Sequence, residues 1–373
     1  MGGTWNPGLI VCIGGFAIAF VFGAVANRTN FCTMGAVSDV VNMGSWGRMR
    51  MWLLAIAVAI LGTQALQLSG MVDVTKSIYV RPNVSWLSYA LGGLMFGVGM
   101  TLGSGCGSKT LVRLGAGSLK SLVVFICLGL AAYMTLKGLF GVWRARWIDP
   151  VATDLAAHGI ARQDVPTIVA TWTGASLASA EWAVALVLAG ALLVFVFMDR
   201  DFRTSFDHVL GGMVVGLVIV AGWYVTGHLG YGENPETLEN TFFATNSHTI
   251  ESLSFVAPAG YALELFMLWS DKSLGVTFGI AAVAGIIAGS FAYAMASRTF
   301  RWEGLSGTED TANHVVGGIL MGFGGVMALG CTIGQGITGL STLAIGSFVS
   351  FLAIVAGSAL TMKVQYWRIT REG

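Results

Sequence analysis

Three of the five cysteines stand in segments whose chemistry differs from that of the rest of the chain. Cys32 lies in Asn27-Arg28-Thr29-Asn30-Phe31-Cys32-Thr33-Met34-Gly35-Ala36, and Cys106 in Gly103-Ser104-Gly105-Cys106-Gly107-Ser108-Lys109-Thr110. Cys331 lies in Gly330-Cys331-Thr332-Ile333-Gly334-Gln335-Gly336-Ile337-Thr338-Gly339. Each segment follows a hydrophobic run, is rich in glycine and hydroxyl side chains, and leads into a stretch too brief to cross a bilayer. Non-helical backbone at membrane depth survives only where protein buries it or where it lines a wet cavity, so all three are candidate re-entrant turns. A turn that enters a short helix aims free N–H groups and the positive dipole end into that cavity, which favours an anion. Thr33, Ser104, Ser108, Thr332 and Thr338 add hydroxyl donors, and Arg28 and Lys109 add positive potential. Asn30, Gly105, Gly107, Gly330 and Gln335 complete the same turns and count with them as supporting residues of a candidate substrate path.

Other chemistries are poorly served. A buried cysteine is usually a small hydrophobe, and Cys12 and Cys127, in mid-span apolar runs, read that way. No CxxC or Cys/His cluster points to zinc or iron–sulfur binding, and nothing in the spacing supports a disulfide. His158, His208, His228, His248 and His314 are scattered at span ends and loops. The stretch 103–110 looks like a phosphate loop, but that pattern needs Gly directly before Lys, where Ser108 stands. Gly-x-Gly-x-Gly at 103–107 lacks the strand-and-helix setting of a dinucleotide fingerprint. No cofactor is expected.

The elements that hold these turns follow from composition. Of 373 residues 55% are hydrophobic and 10% charged, with mean hydropathy +0.75; a soluble domain carries about 25% charged residues. A helix needs about 20 apolar residues to cross a roughly 30 Å core. Such stretches occur near 8–26, 51–69, 86–103, 118–140, 180–198, 208–227, 275–296, 313–329 and 343–362, which predicts nine spans. The apolar segment 252–270 contains Pro258, Gly260 and Glu264 and reads as a broken or re-entrant pair. The expected class is an all-α integral membrane protein with short re-entrant helices. Net charge +1 leaves no basic face for nucleic acid. The first span has no positive n-region and no convincing cleavage site, so it reads as a span rather than a removable signal. The positive-inside rule puts Arg48, Arg50, Lys109, Arg113, Lys120, Arg200 and Arg203 in the cytoplasm, with the N-terminus outside. If 252–270 does not span, Arg298, Arg301, Arg368 and Arg371 are inside too. The acidic loop with Glu233, Glu236 and Glu239 is outside, and Lys137, Arg144 and Arg146 are the misfits.

The chain repeats itself. LGGLMFGVGMTLGSGC (91–106) returns as VGGILMGFGGVMALGC (316–331), aligning Gly92, Gly93, Gly97, Gly99, Gly105 and Cys106 with Gly317, Gly318, Gly322, Gly324, Gly330 and Cys331 without a gap. A weaker echo starts at Leu210-Gly211-Gly212, keeps Gly216 and carries Val225 where the cysteine would fall; Gly14-Gly15 opens a further unit that runs into Cys32. The organisation expected is an N-terminal half at 1–150, a connecting amphipathic or loop segment at 151–179 and a C-terminal half at 180–373. On the topology above, Cys106 follows an inward span and Cys331 an outward one, the mark of an inverted repeat with its site near the midplane; parallel duplication is the alternative. Gly93/Gly97 and Gly318/Gly322 make small-xxx-small faces that let backbones approach.

At NRTNFCTMGAVSD (27–39), GSGCGSKTLVRLGAGS (103–118) and GGILMGFGGVMALGCTIGQGITGLSTLAIGS (317–347) the sequence resembles the YeeE/YedE family of sulphur transporters, the thiosulfate permeases. The likeness covers nearly the whole chain. It implies an hourglass-shaped inverted repeat of nine spans plus short helices, in the bacterial inner membrane, with functional cysteines at Cys32, Cys106 and Cys331. It also implies a cytoplasmic sulphur-carrier partner of the TusA-like or rhodanese-like kind. The expected function is thiosulfate uptake past neutral thiols rather than enzymatic turnover, with Cys331 outermost and the order of Cys106 and Cys32 open. A cysteine-persulfide sulphurtransferase is the competing class, disfavoured because no His or Asp lies near the cysteines in sequence to act as base. A carrier of another sulphur or selenium anion is the third possibility.

Overall fold

Glycine and alanine recur at helical spacing through the apolar runs, and this decides how the helices meet: backbone against backbone. The computed structural model describes residues 6–234 and 237–372, so Glu236 of the acidic loop lies outside them. Helices α1 (Pro7–Arg28), α2 (Thr33–Ser38), α3 (Gly47–Leu68), α4 (Trp86–Leu102), α5 (Gly107–Gly115) and α6 (Leu119–Leu136) form the first part of the chain. Then come α7 (Leu139–Trp147), α8 (Val165–Thr173), α9 (Leu177–Phe197), α10 (Arg200–Thr204) and α11 (Phe206–Tyr224). The remainder is α12 (Ala257–Met267), α13 (Phe278–Ala296), α14 (Thr308–Met327), a wide-turn helix over Gly334–Gly339 and α15 (Ile345–Glu372). Two small antiparallel ribbons, Asn83–Val84 with Thr153–Asp154 and Tyr231–Glu233 with Asn240–Phe242, tie loops together.

Among the described residues, eight helical segments are long and apolar enough to cross a bilayer; they are built on α1, α3, α4, α6, α9, α11, α13 and α15. The ninth expected span, 313–329, is α14. It falls short of that standard because Glu309, Asp310 and His314 occupy its first two turns, yet it packs antiparallel along α4. The segment 252–270 behaves as read from its proline and glycine. The chain dips inward at 252–256 and α12 carries it back out, where Glu264 pairs with Lys137 at 2.9 Å and accepts the Tyr133 hydroxyl at 2.7 Å. That pairing accounts for one of the misplaced positive charges. Arg144, on α7, pairs with Asp149 at 3.1 Å and accounts for another.

The repeat is visible as matched contacts. A methyl group on Gly92 would strike the α14 backbone at Gly324 and Ala328, and one on Gly317 would strike the α4 backbone at Gly99 and Gly103. A methyl on Gly97 would fall on the Ile354 carbonyl oxygen of α15; one on Gly322 would fall on the Leu128 carbonyl oxygen of α6. Gly93 faces Ser350 and Ala353, and Gly318 faces Val124 and Cys127 in the same way. Thus α4 and α6 relate to α14 and α15 with the chain direction reversed. Helices α1 and α3 relate to α11 and α13 likewise: Gly15 and Gly23 of α1 abut Phe278 and Ile286, while Gly212 and Gly216 of α11 abut Met51 and Ala55. α1 begins on one face, here the N-terminal face, and α15 ends on the other, the C-terminal face.

Candidate functional site

The same turn occurs three times. α1, α4 and α14 each end with one residue in the left-handed region: Asn30 (φ 51), Ser104 (φ 56) and Leu329 (φ 57). The following N–H closes a six-residue loop back onto the helix: Phe31 to the Ala26 carbonyl at 3.1 Å, Gly105 to Met100 at 2.9 Å, Gly330 to Gly325 at 2.8 Å. This is the Schellman ending, which satisfies the last carbonyls of the helix. The next residue is a cysteine each time, and it starts a short helix. Its carbonyl accepts the N–H four residues on, from Ala36, Thr110 or Gln335. In two of the three the sulfur accepts an N–H three residues on: Gly35 to Cys32 Sγ and Gly334 to Cys331 Sγ, both at 3.4 Å. A thiol thus takes the N-cap role that hydroxyl or carboxylate oxygens usually fill.

The three turns converge. Cys32, Cys106 and Cys331 are 5%, 1% and 0% exposed. The Cys32 and Cys106 thiols lie side by side. Cys106 Sγ also meets Ser108 Oγ at 3.3 Å and the Thr33 hydroxyl at 4.0 Å. Thr332 faces Cys106, yet its hydroxyl is fully buried with no partner at ordinary hydrogen-bond length. The Phe255 backbone lies beside Cys331 Sγ, two residues ahead of α12, a fourth short helix that begins at the same centre. Phe22, Phe31, Phe255, Trp52 and Phe351 pack ring on ring around it, with Phe31 and Trp52 stacked at 5.1 Å.

A cavity flanks the cluster on each side. One, of about 360 Å³, opens towards the C-terminal face and is lined by Asn30, Cys32, Arg48, Ser104, Lys109 and Arg113. Arg48 is bound to Asp39 by two hydrogen bonds, and Arg113 donates to the Ser104 carbonyl at 3.0 Å while lying 3.7 Å from Glu303. Lys109 Nζ donates to Asn30 Oδ1 and has no carboxylate partner among the described residues. The other cavity, about 230 Å³, opens towards the N-terminal face; Tyr79, Arg144, Glu251, Ser254, Tyr261 and Gly330 are among its lining residues. Gly330 precedes Cys331, so the cysteines run in the order Cys331, Cys106, Cys32 from this cavity to the basic one.

Most of the residues singled out in the sequence gather here. Asn30, Thr33, Ser104, Ser108 and Lys109 surround the two adjacent thiols, and Gly105 and Gly107 let Lys109, Leu128 and Val256 close in. Gln335 braces the third turn by donating to the Ala328 carbonyl. Thr338 is directed to the Leu253 carbonyl at 2.7 Å and holds the dipping segment. Arg28 is not brought in: it lies half-exposed and pairs with Asp207 at 3.1 Å. Cys12 and Cys127 are remote, one donating to the Val276 carbonyl and the other packed on Gly318. Val225 does not hold the fourth cysteine position. It packs on Gly14, and Phe255–Val256 take the central place instead, after a 231–256 excursion that the repeat pattern cannot see. Arg48, Glu251 and Tyr79 reach the cavities from neighbouring elements; no motif flags them.

The fold and the buried thiol cluster define a multi-pass, all-α membrane protein with an inverted internal arrangement and a pair of opposed cavities. The chain matches the sulphur transport family over residues 28–360 and belongs to it. It is 26% identical to the thiosulfate transporter TsuA of Spirochaeta thermophila, over 92% of this chain and 96% of that one. It is 24% identical to the thiosulfate transporter TsuA of Escherichia coli K12, over 96% of each chain.

Proposed function

We propose that the protein takes up thiosulfate across the bacterial inner membrane, from the Glu251-lined cavity past Cys331, Cys106 and Cys32 into the Lys109-lined cavity. The carrying observation is that three thiols, each at the N-cap position of a short helix, lie with a few hydroxyls between the cavities. Neutral thiols are weak donors, and weak successive sites let an ion enter and leave. The helix N-termini and the backbone N–H groups of Gly35 and Gly334 supply positive potential without a tight, charge-paired trap. Thiolates would repel a dianion, so this reading requires protonated thiols as it passes. The C-terminal face carries Arg50, Arg200, Arg203, Arg298, Arg301 and Arg371, which supports placing it in the cytoplasm.

A dianion moving into an inside-negative cell works against about 2.3 kcal/mol per charge per 100 mV, hence about 4.6 kcal/mol. A cytoplasmic sulphur-accepting protein, TusA-like or rhodanese-like, would offset part of this by consuming the anion. The test is uptake of labelled thiosulfate into proteoliposomes with labelled sulfate alongside. Thiosulfate enters at least about tenfold faster if the thiols select sulfur, a difference of about 1.4 kcal/mol. Equal rates for the two anions would remove the sulfur-specific role of the cysteines.

A further inference from the structure

The cavity leading to Cys331 contains a group for which anion passage alone has no use. Glu251 is the one carboxylate among its described lining residues, and it sits on the segment that dips into the membrane just before α12. It is placed deliberately. Its Oε1 accepts both the Ser247 N–H, at 2.8 Å, and the Ser247 hydroxyl. Its own backbone is pinned from the opposite side by Thr226, whose hydroxyl donates to the Glu251 carbonyl and accepts the Glu251 N–H at 3.2 Å. The groups facing it are Tyr79 from the 78–80 turn, Tyr261 from α12, His248 from its own loop and Arg144 from α7. Arg144 is engaged with Asp149 and forms no ion pair with Glu251. A dianion bound beyond Gly330 must share this small cavity with a carboxylate that has no ion-pair partner among the described residues.

From this geometry, and resting on the uptake reading above, we infer that Glu251 is a proton-binding site that couples proton entry to anion entry. Ionised, it repels the dianion from the mouth of the thiol cluster; protonated, it admits the anion and donates a hydrogen bond to it. The balance is one proton taken from the outer solution, carried on Glu251 while the anion loads, and passed to the water that hydrates the anion as it moves inward, which leaves Glu251 ionised for the next proton. Each proton that accompanies a dianion cancels one of its two charges. Glu264, Asp207, Glu181 and Asp39, carboxylates of other helical segments, do not fit the role, because Lys137, Arg28, Arg162 and Arg48 in turn pair with them.

The experiment uses the full-length protein in proteoliposomes loaded with a pH-sensitive dye, with labelled thiosulfate outside. In the wild type, thiosulfate addition acidifies the lumen. Uptake falls by at least about fivefold as external pH rises over about two units, because the competent, protonated fraction shrinks. Glu251→Gln, a permanently neutral mimic, transports thiosulfate with a flat pH profile and no lumenal acidification, while Glu251→Asp restores the pH dependence. A structural role would change the amount of folded protein but not the profile of what remains, so each variant is normalised to its monodisperse fraction. Wild-type uptake that is pH-independent and brings in no protons, or a Gln variant that keeps the wild-type profile, overturns the inference and leaves thiosulfate transport standing. No thiosulfate uptake at any pH overturns both.

Discussion

At the scale of single residues, the cluster separates thiols that cap helices and meet one another from thiols that merely fill space. Cys106→Ala and Cys331→Ala are each expected to lower thiosulfate uptake by about tenfold or more, roughly the loss of one hydrogen bond to a charged group. The corresponding Ser variants test whether a hydroxyl can stand in for the thiol. Cys12→Ala and Cys127→Ala, removed from the centre, should transport at wild-type rates. Undiminished uptake by both Ala and Ser variants at both positions would take the thiols out of the proposed path. Lys109 is the cation of the basic cavity with Asn30 rather than a carboxylate for a partner. Lys109→Ala is therefore expected to slow uptake by about tenfold and to weaken its dependence on ionic strength, as read from initial rates at low and high salt. Much of this was legible early. Cysteine beside glycine and hydroxyl groups, after an apolar run, marks a turn that secondary structure cannot absorb. The carboxylate and guanidinium groups that reach the cavities were not legible, because Glu251 and Arg48 lie far along the chain from the thiols they approach. Arg28 misled by proximity in sequence: the left-handed turn at Asn30 redirects the chain, and the arginine two residues earlier stays on the surface.

At the scale of elements, the three turns show how one short sequence pattern builds a site. A helix ends in a Schellman motif, a single left-handed residue reverses the chain, and two residues later a cysteine starts the next helix. β-branched residues fit the left-handed region badly, so Ser104→Val should lower the melting temperature of detergent-purified protein, whereas Ser104→Gly should leave it unchanged or raise it. The glycine contacts make a second expectation. Gly97→Val and Gly322→Val each drive a side chain into a carbonyl of the facing helix and are expected to cost about 1–3 kcal/mol, measured by thermal aggregation on size-exclusion chromatography. Equal losses at these two positions would reflect their equivalent surroundings, Ile354 in one case and Leu128 in the other. The repeat at 91–106 and 316–331 announced this pairing, since six residues kept their spacing. The fourth unit was illegible. Its short helix α12 is separated from α11 by a ribbon and a long loop, so the alignment stopped at Val225, which packs elsewhere. Composition likewise anticipated α14 as a span without revealing how polar its first two turns are for a segment of that depth.

At the scale of the whole molecule, the reversed halves place the two chain ends on opposite faces and a cavity on each side of the thiols. A cysteine introduced at Leu238 and one at Trp302, both 73% exposed, should be labelled from opposite sides of a sealed vesicle by an impermeant maleimide. Labelling of both from one side would refute the topology. The glycine seams bear on how the molecule moves. Along α4 and α14, and again along α4 with α15 and α6 with α14, main chains touch with no side chain between them to act as a bearing. Seams of this kind resist sliding and rotation, because any displacement separates atoms already in contact and exposes carbonyls to hydrocarbon. The halves are therefore expected to behave as a fixed frame, with passage controlled by the turning of rings such as Phe31 and Phe255 and by adjustment of the 252–256 segment. Spin labels bracketing the α4–α14 seam should keep their separation when thiosulfate is added, and a lengthening would assign the motion to the helices themselves. A frame that does not rock has no large conformational cycle to complete between one ion and the next, so its turnover would be set by how quickly the anion sheds and regains water at each mouth.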